Sequence, residues 1–146
     1  MDAKHSRLSL LADTGAILAI LDKKDVWHKA CAGVFLGLDS PMLTSEAVLT
    51  ELFHLAARSR IQIQTAWGFI HSGALALGSI LDDDLPAIHQ LMTQYADRPM
   101  DFADATLVHL ARRESMTTIL TIDHDDFSTY RIEGKRRFRI LPEKQP

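Results

Sequence analysis

Asp13, Glu51, Asp104 and Asp123 are the residues whose surroundings mark them for chemistry. Asp13 follows the apolar run Leu8–Ala12, and Asp123 follows Thr117–Ile122, which is apolar and rich in β-branched residues. Both runs have the length and flanks of buried strands. Aspartate at the end of a strand serves commonly as a loop residue or a helix N-cap. Glu51 is harder to assign to such duty, because it lies among Val48, Leu52 and Leu55 on one side of a helix expected from Ser45 to about Arg58. Asp104 stands in a helix from Asp101 to Arg113 that is nearly apolar all round, and it shares a face with Asp101 three residues earlier. Asp101 is the natural N-cap there, so Asp104 needs another reason for its charge.

If these acids converge, each pair of unit charges roughly 5 Å apart repels by about 3 kcal/mol at an effective dielectric near 20. A counter-ion is then required. Ligands that are all oxygen suit Mg²⁺ or Mn²⁺ rather than zinc or copper, and Asp13, Asp104 and Asp123 are the candidate metal ligands. A divalent ion so held activates water and stabilises a phosphoryl transition state, which points to metal-assisted phosphodiester hydrolysis. Competing chemistries lack their residues. The histidines show no zinc-ligand spacing, and there is no nucleophile elbow or Gly-rich phosphate loop. An aspartyl phosphotransferase would want a second Asp two residues after Asp13, where Gly15 stands. Cys31 is the sole cysteine and reads as a small core residue of a protein in a reducing compartment.

Elements must carry these residues to one place. After the first strand, helices are expected over Gly15–Leu21 and Val26–Leu36, a short extended segment at Pro41–Thr44, a helix over Ile61–Ile70, a strand within Ala74–Ile80, and a helix start at Asp82, Asp83 and Asp84. A closing edge strand is expected over Arg137–Leu141. Strands separated by helices imply an α/β fold: a three-layer α/β/α sandwich with a central parallel sheet. In such a sheet the ligand edge is the carboxyl end of the strands, where Asp13 and Asp123 would meet. The 146 residues, without repeat or linker, read as one domain over 1–146. The polar start MDAKHSR and the early Asp13 resemble neither a signal peptide nor a membrane span, so a cytoplasmic location is expected.

The stretches LLADTGAILAIL, LTSEAVLTELFHL, MDFADATLVHLARR and ILTIDHDDFSTYR, taken in order, resemble the PIN-domain ribonucleases, close to the VapC-like toxins of type II toxin–antitoxin pairs. The likeness covers nearly the whole chain. It implies an endoribonuclease dependent on Mg²⁺ or Mn²⁺, with Asp13, Glu51 and Asp104 as the principal acids and Asp123 as the fourth. Asp125 and Asp126 compete for that last place, and Asp123 is preferred because it directly ends the strand. Asp101 matches a further acid of this branch, and Thr14 and Thr121 match hydroxyls that orient carboxylates or water. The resemblance also implies an RNA substrate, a cognate antitoxin that blocks the acidic site, and a homodimer. The alternative is a PIN-like module that binds RNA or protein without cutting.

A net charge of −3, from sixteen Lys and Arg against nineteen Asp and Glu, excludes a simple basic clamp on nucleic acid. A local basic cluster near the C-terminus, with Arg136 and Arg137, together with Arg58 and Arg60, is the candidate track for the RNA backbone, or else a solvated rim.

Overall fold

The computed structural model describes residues 9–59 and 61–143. Leu8 and Arg60 lie outside them. Among the described residues the chain forms five strands and seven α-helices in the order β1 (Leu11–Ala12), α1 (Thr14–Leu21), α2 (His28–Leu36), β2 (Met42–Thr44), α3 (Glu46–Ala56), α4 (Ile63–His71), β3 (Leu75–Leu77), α5 (Leu85–Gln94), α6 (Phe102–Arg113), β4 (Thr118–Leu120), α7 (His124–Thr129) and β5 (Arg139–Leu141). The strands make one all-parallel sheet in the order β3-β2-β1-β4-β5. Helices flank it, giving the expected α/β/α sandwich.

Burial explains why these segments hold. Leu11, Ala12, Leu43, Ile119 and Leu120 in the three central strands, and Leu10 just before β1, are wholly or almost wholly inaccessible. In α6 every residue from Ala105 to Ala111 is buried, which makes it the central helix its composition foretold. Val48, Leu52 and Ala56 seat α3, whereas Leu55 faces out at 38% exposure. The other exposed residues of α3, Glu46, Thr50 and His54, are polar.

Several boundaries differ from expectation, each with a local cause. The second helix starts at His28 rather than Val26, because the Asp25 side chain accepts the Trp27 amide at 2.8 Å and forms a turn there. The third strand stops at Leu77, since Gly78 lies hard against the core. A short helix, α7, was not anticipated; Asp123 caps it. The Asp82–Asp84 segment does begin a helix, as a single 3₁₀ turn that leads into α5. There Asp84 accepts from the Leu81 amide and from His109 Nε2, both at 2.8 Å, and from Arg113 at 2.9 Å. Those bonds hold its carboxyl below the usual carboxylate range and tie the β3–α5 connection to α6.

Gly78 is a close approach of backbone to side chain. A Cβ built there meets Leu110 Cδ2 at 2.7 Å and Leu43 Cδ1 at 3.2 Å, and both leucines are completely enclosed. Gly78→Ala is expected to lower stability by about 1–3 kcal/mol. The urea midpoint would fall with the slope unchanged; an unaltered midpoint would show that Leu110 can give way.

Candidate active site

The sheet order fixes where the acids meet. From β1 the chain builds β2 and β3 to one side and then crosses back to place β4 and β5 on the other. The crevice beyond the carboxyl ends of β1 and β4 is therefore the switch point, the place where open α/β sheets bind ligands. Asp13 follows β1 and Asp123 stands three residues past the end of β4. The N-termini of α1, α3 and α7 open from this same edge, because each follows directly on β1, β2 or β4.

Asp13 caps α1. Its Oδ1 accepts the Thr14 amide at 2.8 Å and its Oδ2 accepts the Thr121 hydroxyl at 2.9 Å. Burial pushes its carboxyl up to about 6; the two hydrogen bonds pull the other way, and repulsion from Glu51 and Asp123 adds to the rise. Asp104 is lifted further, to about 8, first by burial and then by the charges of Asp13 and Asp101. One group opposes this: the Tyr130 hydroxyl donates to Asp104 Oδ2 at 2.9 Å. Asp123 is also raised, by burial above all and then by its carboxyl neighbour Asp126. Five carboxylates, those of Asp13, Glu51, Asp101, Asp104 and Asp123, thus share one field.

Positioning is tight around them. Thr121 reaches two acids at once, since its hydroxyl also accepts the Asp123 amide at 3.0 Å. Asp101 caps α6 by accepting the Asp104 amide at 2.8 Å, and Asp123 caps α7 by accepting the Asp126 amide at 3.1 Å. Among the three clustered aspartates, Asp126 is held by Arg98 at 2.8 Å and Asp125 is exposed, while Asp123 is the one whose charge acts on Asp13 and Asp104. Thr14 contributes its amide; its buried hydroxyl has no hydrogen-bond partner among the described residues. Glu51 is half-buried on α3 beside the enclosed Leu52.

Two residues escaped the sequence reading. Tyr130 is fully enclosed, packed edge-on to Tyr95 and Phe127, and its backbone neighbours are gripped by Arg112, which donates to the carbonyls of Ile132 and Arg131. Burial, reinforced by Asp104, drives its phenol far above the ordinary range, so it remains a donor. Arg98 ties the loop before α6 to α7. No sequence signal joins either to its partner, 26 and 28 residues away. The proposed RNA track is not gathered here. Arg58 lies past the far end of α3, and Arg136 and Arg137 precede β5 at the opposite edge of the sheet. Composition grouped these arginines, but a parallel sheet separates the residues before a strand from those after it.

The donor set fits a hard divalent cation. All its atoms are oxygen, and their mutual repulsion is what a counter-ion would relieve. Among the described residues no three acid, histidine or cysteine side chains already form a closed ligand group.

The raised carboxyls set a pH dependence. Between about pH 4 and 8 the folded chain holds protons on Asp13 and Asp104 that the unfolded chain has released, so stability without metal falls as pH rises and levels off above about 9. Asp84, shifted the other way, withdraws its contribution only at more acid pH. Thermal melts in chelator are expected to give a lower Tm at pH 8.5 than at pH 5.5; a higher one would contradict the crowding of these acids.

Among known proteins, the PIN domain family model matches residues 10–133. Ribonuclease VapC26 of Mycobacterium tuberculosis is 29% identical over 136 residues, spanning 91% of this chain and 100% of that protein. The crystal structure of Mycobacterium tuberculosis VapC20, described as a sarcin–ricin loop cleaving toxin, superimposes with a TM-score of 0.73 at 20% identity, covering 88% of this chain and 99% of that one. At that identity the likeness speaks for the fold. No helix among the described residues is long and apolar enough to cross a membrane.

Proposed function

The chain belongs to the PIN-domain family, and from that membership we propose that it is a VapC-like endoribonuclease that hydrolyses RNA phosphodiester bonds with Mg²⁺ or Mn²⁺, the toxin of a toxin–antitoxin pair. The observation that carries this reading is the pair Asp13 and Asp104, raised to about 6 and about 8 at the switch point of the sheet. Structural acids settle into salt bridges; these press on one another. Perturbed carboxyls in a cleft are the mark of a working site, and the relationship to Ribonuclease VapC26 supports RNA as the substrate.

Asp13, Asp104 and Asp123 would hold the ion, with Glu51 facing the same charge and Asp101 behind. When bound, the ion supplies positive charge against the phosphodiester and acidity to nearby water. The chain's own groups do the rest. Thr121 and the Thr14 amide fix both oxygens of Asp13, and Tyr130 fixes one oxygen of Asp104, so neither carboxylate has to be oriented during the reaction. Glu51 makes no hydrogen bond among the described residues, which supports a role for its carboxylate as the acceptor of a proton from attacking water.

A cognate antitoxin covering the acidic rim, pairing of two copies and action in the cytoplasm belong to the same proposal. Its direct test is incubation of the purified protein with total RNA in Mg²⁺, Mn²⁺ or EDTA. Cleavage is expected with either metal and none in EDTA. Undiminished cleavage in EDTA would overturn the metal assignment, and binding of RNA without cleavage in any metal would select a non-cutting module.

A further inference from the structure

Next to the acids a hollow of about 670 Å³ opens between α3 and the start of α6, lined by Glu46, Ala47, Thr50, Glu51, His54, Asp101, Phe102 and Ala103. It falls in the size range of small-ligand pockets, roughly 300–1,000 Å³. Two of its residues, Glu51 and Asp101, belong also to the acidic field, so whatever the hollow seats is adjacent to the reacting phosphate.

Its chemistry selects an occupant. Ala47 and Ala103 are small, which leaves a shallow apolar wall, and Phe102 presents its ring at 44% exposure although it is the first residue of a helix whose next turns are enclosed. No Lys or Arg among the described residues lines the hollow. A phosphate would therefore meet carboxylates with nothing to offset them, and a flat neutral group rich in N–H donors is favoured. Glu46 sits at the first position of α3 with only a long 3.4 Å contact from the Ile80 amide to one of its oxygens, so its carboxylate is available.

We propose that this hollow seats one unpaired base of the RNA beside the scissile bond, stacked on Phe102 and read by Glu46, and that the base is guanine. The choice among bases follows from donor geometry. Guanine alone offers a carboxylate two parallel N–H donors on its pairing edge, N1–H and the 2-amino group. Adenine and cytosine set a ring acceptor beside their amino group, and uracil sets carbonyls on both sides of its N–H. Stacking on an aromatic ring while the pairing edge is hydrogen-bonded is the usual manner in which single-stranded RNA is read.

The inference rests on the nuclease reading, and two measurements separate their fates. The first is cut-site sequencing on single-stranded oligoribonucleotides randomised around the cleaved bond. The parent is expected to prefer guanine at one fixed position by about fivefold or more. In Glu46→Gln that preference should shrink to under about twofold. In Phe102→Ala, KM should rise for all substrates, with recovery in Phe102→Trp. Cleavage with no base preference, or with a preference unchanged in Glu46→Gln, would overturn the base site and leave the nuclease standing. The second is binding, in EDTA, of four short oligoribonucleotides that differ in one base. Guanine-selective binding lost in Glu46→Gln supports the base site even if no RNA is ever cut; equal binding of all four overturns it. Sedimentation of Phe102→Ala guards against another occupant: conversion of a parental dimer to monomer would assign the hollow to a contact between copies instead.

Discussion

Asp104→Asn protein is expected to lose RNA cleavage by about a hundredfold or more, and Asp13→Asn by a similar factor, with substrate binding little changed. The size follows from where the charge sits. Both carboxylates lie at the crevice between β1 and β4. In Asp104→Asn the remaining oxygen can still accept from Tyr130, so that substitution removes charge and leaves geometry, whereas in Asp13→Asn the single oxygen serves only one of the two donors, the Thr14 amide and the Thr121 hydroxyl. Thr121→Val makes the complementary change, leaving charge and removing the donor that links Asp13 to Asp123, and is expected to cost about 10–100-fold. Single-turnover cleavage assays at saturating Mg²⁺ measure all three. Full activity in Asp104→Asn would remove this residue from the site.

Without metal, Asp104→Asn is expected to be the more stable protein at pH 8, by on the order of a few kcal/mol, or several degrees in Tm. A carboxyl raised to about 8 by burial and by Asp13 and Asp101 carries a penalty when it ionises, and the amide carries none. The same reasoning gives a second readout. Adding Mg²⁺ to the parent at pH 8 should raise its Tm by offsetting that repulsion, and the gain should be much smaller in the variant. At pH 5.5 the gap should be smaller, because the folded parent holds a proton on Asp104 that the unfolded chain has released, and it should close only as the pH falls toward about 4. A variant that melts well below the parent at pH 8 would mean that Asp104 is a structural acid.

The acids were legible in the sequence because their positions broke local patterns. A charge within a helix apolar on every side, as at Asp104, or directly after a buried strand, as at Asp13, has few structural explanations. The parallel sheet was legible for a related reason, since buried strands with helices between them leave few topologies. What could not be read depended on packing between distant elements. Tyr130 reaches Asp104 only because the chain after α7 folds back under α6, and the meeting of Asp84 with His109 and Arg113 needs the β3–α5 connection to lie along α6. His109 is almost wholly buried and bonded to that carboxylate. The placement of the arginines was not legible either: Arg136 and Arg137 were grouped by proximity in sequence to one another, with no information on which end of β5 they would occupy.

Asp13, Asp101 and Asp123 are each the residue that starts a helix, α1, α6 and α7 in turn. Asparagine caps a helix as well as aspartate does. Under the proposed function, a single codon change at Asp13 or Asp123 would remove a charge from the site and keep the helix start, so an inactive chain would still fold.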